Sequence, residues 1–339
     1  MEEDDYGIPV LHQEGNSLAE TWERALVKLH TKGMPISTQY DKPGDPPSID
    51  ATMIMTIKHP DSEPVIHKAF PGGIEDLVEY DMEVREGIKD SWTRRPEDPL
   101  DPRWEYTYHG RIFDKQVPIT ESMRYRQQLS EEIKEEMRKR GIRILLDMPW
   151  VKFGKRKIGG KSEAIIHIDQ IEACIEMLSQ TPYTRRAQVT TWEPEEDLVS
   201  YDPPCLQSMW WRISKGRDGK QRLCTDVRIR SNDAYGASLM NIFVFIRIAR
   251  EIARRVSENI GEPILLGRYV HMADSFHIYG KDIKDFENRF LHLLATRSFE
   301  ERIYRMDDPN VQDIFEETRP KVFEKIRAQT ARYKAEKGE

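Results

Sequence analysis

The chain has 339 residues, 38% of them hydrophobic and 33% charged, enough for a large core in one domain with insertions or in two. Fifty-nine acidic residues against 52 basic ones give a formal charge of −7, and no long Lys/Arg tract breaks that balance, which argues against nucleic-acid binding but leaves room for a small anion held by a few arginines. No apolar run reaches membrane-spanning length, the acidic first five residues lack the features of a signal peptide, and three cysteines without a CxxC or a Cys/His metal spacing point to a reducing, cytoplasmic setting with no metal centre.

Residues 1–17 are polar and read as a flexible tail. Leu18, Trp22, Ala25, Leu26 and Leu29 follow helical spacing, and Gly33 closes that helix. A Pro/Gly/Asp loop at 42–48 precedes a strand at 51–57 and a second at 64–70; Gly72-Gly73 then opens a helix over 74–86. Residues 93–105 are charged and Pro-rich, hence a surface loop. A charged insertion at about 114–166 follows. It contains a solvated helical segment at 118–140, stopped by Gly141, and a basic flexible turn at 154–161 that lacks the spacing of a P-loop. Residues 169–178 form a short helix with Cys174 on its apolar face. Strands are predicted at 187–192, 207–213 and 223–230, the last two joined at Asp218-Gly219. The strongest helix runs over 239–258, with Ser238 as N-cap and Gly261 beyond its end. A strand at 268–272, a helix at 283–294 and a charged helix or tail at 318–339 complete the chain. Strands from distant segments mixed with long helices argue for an α+β fold around a mixed or largely antiparallel sheet; the rhythm of a Rossmann fold and a GxGxxG are both absent.

Chemistry concentrates in residues 201–241. Pro203-Pro204-Cys205 presents a thiol after a rigid di-proline, and a thiol attacks as the thiolate, which a neighbouring cation favours. A buried structural cysteine is the alternative. Arg230-Ser231-Asn232-Asp233 and Asn241 supply a cation, a carboxylate and an amide leading into the long helix. Arg185-Arg186 reads as an anion clamp or a solvated pair, and His277 with Tyr279 as a sugar-binding face or as core residues.

In order along the chain stand His167-Ile168-Asp169-Gln170-Ile171, Tyr183-Thr184-Arg185-Arg186, Trp192, Pro203-Pro204-Cys205, Arg230-Ser231-Asn232-Asp233, Asn241 eleven residues after Arg230, and His277-Ile278-Tyr279. This set resembles the thymidylate synthase and pyrimidine-nucleotide hydroxymethylase superfamily, closely over about 165–285 and more weakly over 18–115. The resemblance implies a thymidylate synthase-like fold in one catalytic domain over 18–317, a mixed sheet packed with long helices, and a homodimer formed through the sheet. It implies a pyrimidine nucleoside monophosphate as substrate and 5,10-methylenetetrahydrofolate as cofactor. Cys205 would add to C6 of the ring. Arg230 and Ser231 would bind the phosphate, with Arg185 and Arg186 reaching it from the other subunit. Asp233 would bind the pterin, and His277 and Tyr279 the sugar hydroxyl. Asn241 would pair with N3–H and O4 of uracil, where cytosine-using members carry Asp. Ile88-Lys89-Asp90-Ser91-Trp92 resembles the Trp-containing folate segment, which brings Lys89 and Trp92 into the site, and Tyr106 to Arg111 resembles a Tyr-x4-Arg element whose Tyr106 joins the catalytic set. Glu83, with Glu79 second, fits the helix-borne glutamate that organises water.

The departures bear on the reaction. Lys89 stands where the first Trp of the folate segment is expected, Leu206 where a His follows the cysteine, no Arg occurs between Arg24 and Arg85, and the last residues are charged rather than apolar. Methylation keeps water from the intermediate, whereas hydroxymethylation admits it. A lost aromatic shield and a polar tail therefore favour a uracil-nucleotide 5-hydroxymethylase (dUMP or UMP). Thymidylate synthase, a CMP or dCMP hydroxymethylase and, more remotely, a non-catalytic nucleotide- or RNA-binding relative are the alternatives.

Overall fold

A computed structural model describes residues 7–94 and 100–337. The chain opens with strand β1 (Val10–Gly15), helix α1 (Leu18–Lys32), the short β2 (Met34–Ile36) and β3 (Ser48–Ile57). Residues 10–15, expected within a loose tail, thus form an edge strand paired in parallel with β3. Their apolar content is too low to announce it. The segment predicted as a strand at 64–70 contains only the two-residue β4 (Ile66–His67). Helix α2 (Ile74–Glu86) has the predicted bounds and ends at Gly87, whose φ of 66° is the left-handed conformation that closes helices.

Helix α3 (Tyr108–Ile112) leads into the insertion, which differs most from expectation. Strand β5 (Lys115–Pro118), helices α4 (Glu121–Gln127) and α5 (Glu131–Lys139), and strands β6 (Val151–Ile158) and β7 (Lys161–Ile168) make a small unit with its own three-stranded antiparallel sheet, β5-β7-β6. The basic segment at 154–161, read as a flexible turn, is a β-hairpin, and the single helix predicted for 118–140 is two. Leu146, Val151 and Ile166 give the unit a separate apolar cluster.

The second half carries α6 (Gln170–Gln180), β8 (Gln188–Thr190), α7 (Pro194–Asp197), β9 (Leu206–Lys215), β10 (Gln221–Asp233), α8 (Ser238–Ile260) and β11 (Ile264–Ile278). Helix α9 (Ile283–Asp285) runs through a π turn at Phe286–Leu291 into α10 (His292–Thr296), followed by β12 (Ile303–Tyr304) and α11 (Pro309–Lys337). The main sheet has seven strands in the order β1-β3-β11-β10-β9-β8, with β2 paired to β3. It is mixed, because β1/β3 and β10/β11 are parallel and the remaining pairs antiparallel. The α+β class expected from the sequence is therefore the class observed.

Helix α8 is buried along Leu239, Ile242, Phe243, Ile246, Ala249, Ile252, Ala253 and Val256, the stripe its sequence shows. Ser238 is its first helical residue rather than its N-cap. The Ser238 hydroxyl donates to Ala234 O at 2.6 Å and accepts from Trp22 Nε1 at 2.9 Å, so α1 pins the turn from β10 into α8. Helix α11, which starts nine residues before the predicted charged tail, packs against α2 through Val322 and Ile326 on Val78 and Met82. Among the described residues no helix is long and apolar enough to cross a membrane.

Candidate active site

Cys205 lies at the entry to β9, and β10 fixes its backbone: Arg230 N donates to Cys205 O at 2.8 Å. The Arg230 guanidinium is anchored by the di-proline, with Nε donating to Pro204 O at 3.1 Å and Nη2 to Pro203 O at 2.5 Å. Burial pushes the Cys205 thiol up, Arg230 draws it down and Asp202 pushes it up again, leaving it above the usual thiol value. The resting sulfur is a thiol that needs a base to become a nucleophile.

Five phenols lie within electrostatic reach of this sulfur: Tyr40, Tyr80, Tyr106, Tyr108 and Tyr279. Burial raises all five, Tyr279 to about 12, so each keeps its proton and stays a hydrogen-bond donor. The Tyr108 hydroxyl also accepts from Leu206 N at 3.1 Å, holding the residue after the nucleophile. Of the five, sequence reasoning chose Tyr106 and Tyr279. Tyr108, two residues after Tyr106, was within the quoted segment, whereas Tyr40 and Tyr80 carried no local signal.

The parallel β10/β11 register places Ser231 opposite Ser275 and Asp233 opposite His277. A directional chain starts at Asp50, whose Oδ2 accepts from the Ser275 hydroxyl at 2.7 Å. With its only proton committed, Ser275 Oγ accepts from His277 Nδ1, 3.0 Å away. Burial pushes the His277 imidazole down to about 4, so it is neutral near pH 7 and Nε2 is a bare acceptor. That atom is buried without a hydrogen-bond partner among the described residues. It is chemically matched to a donor such as a sugar hydroxyl. The Tyr279 ring stands 4.5 Å from His277, edge to face.

Asp233 Oδ1 accepts from Gly236 N at 2.8 Å and Tyr235 N at 3.1 Å. Burial raises its carboxyl to about 6 against these hydrogen bonds. A Cβ on Gly236 would lie 2.4 Å from Asp233 Oδ2, so the cradle needs glycine. Asn241, on the first turn of α8, is buried, and its Oδ1 accepts from the Tyr80 hydroxyl at 2.5 Å.

The opposite side is built of charge. Lys89 Nζ lies 2.8 Å from Glu83 Oε2 and 2.8 Å from Glu79 Oε1, and 5.6 and 5.4 Å from the ring centroids of Trp92 and Trp104. Burial raises Glu83 and outweighs the Lys89 contact. Burial also raises Glu79, but its bonds to Lys325 and Lys89 prevail and leave it lowered. Trp92 Nε1 donates to Thr330 Oγ1 of α11 at 3.1 Å. A cleft of about 460 Å³ is lined by Glu83, Trp104, Tyr106, Tyr108 and Asp202 among others.

Arg185 and Arg186 are not brought in. Both are exposed just before β8, and among the described residues neither makes an ion pair. Arg111 of the Tyr-x4-Arg element is buried against Asp197 at 2.9 Å, a structural position. No cluster of His, Cys, Asp and Glu among the described residues is arranged to hold a metal ion.

A family model described as thymidylate synthase matches residues 90–323. The chain belongs to the thymidylate synthase family. It is 33% identical over 129 residues to a protein of Methanothermobacter thermautotrophicus described as "Putative thymidylate synthase", covering 38% of this chain and 53% of that one. A protein of Methanocaldococcus jannaschii with the same description is 38% identical over 117 residues, 33% of this chain and 48% of that one. The chain spans about half the length of these curated relatives. Among solved structures, thermostable thymidylate synthase A from Bacillus subtilis aligns with a TM-score of 0.47 and 16% identity over 81% of this chain and 84% of that one. The matched segment of this thymidylate synthase family member starts at Asp90. Glu79, Tyr80, Glu83 and Lys89 precede it, so their placement rests on the geometry alone.

Proposed function

We propose that this protein transfers a one-carbon unit to C5 of a pyrimidine nucleoside monophosphate, with a uracil nucleotide as substrate and the 5-hydroxymethyl nucleotide as product. One observation carries the reading: Cys205 is flanked by an anchored Arg230 and by phenols that keep their protons. Cys205, once deprotonated, forms a bond to C6 of the ring. Arg230 binds phosphate with the guanidinium protons that the proline carbonyls leave over, assisted by Ser231. His277 Nε2 and Tyr279 hold the sugar hydroxyl. Tyr106 and the neighbouring phenols donate to the charge that develops on the ring oxygens. Glu83, raised by burial, exchanges protons with water at C5.

The residues fit 5,10-methylenetetrahydrofolate, since Asp233 offers a buried carboxyl raised to about 6 in a glycine-lined cradle and Trp92 with Trp104 a pair of rings. When bound, that cofactor supplies the one-carbon unit, together with the hydride in a methylating enzyme. The argument for hydroxymethylation is that Lys89, paired with Glu79 and Glu83, puts a charge where the resemblance expects an aromatic shield. The second reading, thymidylate synthase, draws on the Trp92–Trp104 contact, centroids 5.6 Å apart, and on α11 lying against α2 as a cover. The unpaired Arg185 and Arg186 complete the phosphate site of a second copy in a homodimer.

The deciding experiment is mass spectrometry of products from dUMP, UMP, dCMP and CMP with methylenetetrahydrofolate. The expected gain is one CH2O unit on a uracil nucleotide, abolished in Cys205→Ala. A gain of CH2 with stoichiometric dihydrofolate makes the enzyme a thymidylate synthase. No product from any of the four nucleotides overturns the proposal.

A further inference from the structure

Asn241 was expected to read the base unaided. Its surroundings say otherwise. A side-chain amide is nearly symmetric in shape, and a half-turn about its last bond exchanges oxygen for nitrogen at almost no steric cost. Uracil presents an acceptor at C4 beside a donor at N3, whereas cytosine presents a donor at C4 beside an acceptor at N3. One freely turning asparagine serves both rings by flipping, and so discriminates poorly.

Here the flip is constrained. Tyr80 projects from α2, a helix braced from behind by the α11 seam of Val322 and Ile326. Burial holds its phenol well above the ordinary value, with Glu83, Tyr106 and Cys205 adding to the effect, so the hydroxyl is a fixed donor at any working pH. Its acceptor is Asn241 Oδ1, 2.5 Å away, and among the described residues the hydroxyl has no other. The Asn241 Nδ2 protons make no hydrogen bond to a described residue and remain available to a ligand. Flipping the amide would turn Nδ2 towards Tyr80, whose oxygen can accept from it, but would leave the phenol's own proton without an acceptor among the described residues, a polar group unsatisfied in a half-buried site.

We propose that Tyr80 is a positioning residue for base specificity: it locks the Asn241 amide in one orientation, so that the enzyme accepts one of the two pyrimidine rings and rejects the other. This rests on the nucleotide reading above, but not on which base is the substrate.

The test compares dissociation constants of dUMP and dCMP in a Cys205→Ala background, with and without Tyr80→Phe, which deletes a single oxygen. With Tyr80 present, one nucleotide binds tighter by about tenfold or more, and Tyr80→Phe brings the two within about threefold by strengthening the disfavoured one. In an Asn241→Ala background, Tyr80→Phe leaves the ratio unchanged, because the amide through which Tyr80 acts is gone. An unaltered ratio in Tyr80→Phe alone overturns the proposal. So does an equal change with Asn241 absent, which would put Tyr80 in direct contact with the base. If thermal unfolding shows that Tyr80→Phe is unfolded, Asn241→Ala with Tyr80 intact is the substitute, and retained discrimination there overturns the lock. Binding of neither nucleotide to the parent protein removes the nucleotide reading and this inference with it, a result distinct from tight binding with an unmoved ratio.

Discussion

The two sides of Cys205 are held in place by different physics. On one side, Arg230, Asp233 and His277 are set by hydrogen-bonded register between neighbouring strands, and Asn241 by the first turn of a buried helix. On the other, Glu83 and Trp92 are set by side chains meeting side chains, with Lys89 gripping two carboxylates from α2 and α11 closing from outside. A sheet-held side loses geometry only when the sheet is damaged. A charge-held side depends on a few ions. The comparison breaks down if removing those ions costs no more than a surface substitution.

The largest effect is expected at Lys89. Its side chain is only 10% exposed and bonds two carboxylates that are each 17% exposed. Lys89→Met keeps the stem and deletes the charge, leaving Glu83 without its cation and Glu79 with only the exposed Lys325. Breaking one partner out of a buried ion pair predicts a loss of about 3 kcal/mol, measured by urea unfolding at pH 7.5. The sign with pH follows from the pairing. Glu79 is lowered in the folded protein, so its contribution is present above the ordinary carboxylate value and lost as pH falls. The gap between the parent and Lys89→Met should therefore narrow towards pH 4. A loss under about 1 kcal/mol would mean that the charged side is not held by its ions.

The two sides also differ in what was legible in the sequence. Cys205, Arg230, Asp233, Asn241 and His277 could be proposed because the ordered motifs that carry them resemble those of a known family. Helix α2 was legible too, with Gly73 and Gly87 at its ends. Tyr80 was not, since its partner Asn241 is 161 positions away and nothing local marks a tyrosine as facing an amide. Nor was the Asp50–Ser275–His277 chain, which spans two strands paired from opposite halves of the protein. Lys89 was noticed as a departure and read as an opening to water; the structure shows it committed to two carboxylates. The hairpin at 154–161 was missed because its basic, glycine-containing composition matches a solvated turn, and only the pairing of β6 with β7 beside the Leu146 cluster makes it strand.

A mid-sized effect sharpens the sheet-held side. Asp233 is raised from 3.8 to about 6 mainly by burial. A raised acid contributes its full stability below the unfolded value and loses it as pH climbs through the folded one, so the cost of ionisation accumulates between about pH 4 and 6 and is constant above. Asp233→Asn retains an oxygen for Tyr235 N and Gly236 N but never ionises. It should stabilise the protein by up to about 2 kcal/mol at pH 7.5, and the gain should vanish near pH 4 in calorimetric unfolding, while the proposed role of Asp233 at a pterin predicts a fall in turnover. Equal stability at both pH values would show that Asp233 is better solvated than its packing implies.

The smallest effect separates the two kinds of ion on the charged side. Lys325 reaches Glu79 at 2.6 Å from α11, but its side chain is 54% exposed. Water and salt screen such a pair, which is worth about 0.5 kcal/mol or less, and Lys325→Ala should lose that little in low salt and almost nothing in 0.5 M salt, a concentration chosen at roughly the level where screening is nearly complete. Lys89, bonded to the same Glu79, should by contrast keep most of its cost in high salt because the rings of Trp92 and Trp104 keep water from it. If the two substitutions shared one salt dependence and one magnitude, α11 would be joined to α2 by a continuous ion network. A large, salt-resistant loss at Lys89 beside a small, salt-sensitive one at Lys325 instead assigns the charged side to a single buried cation, with α11 held on by Val322 and Ile326.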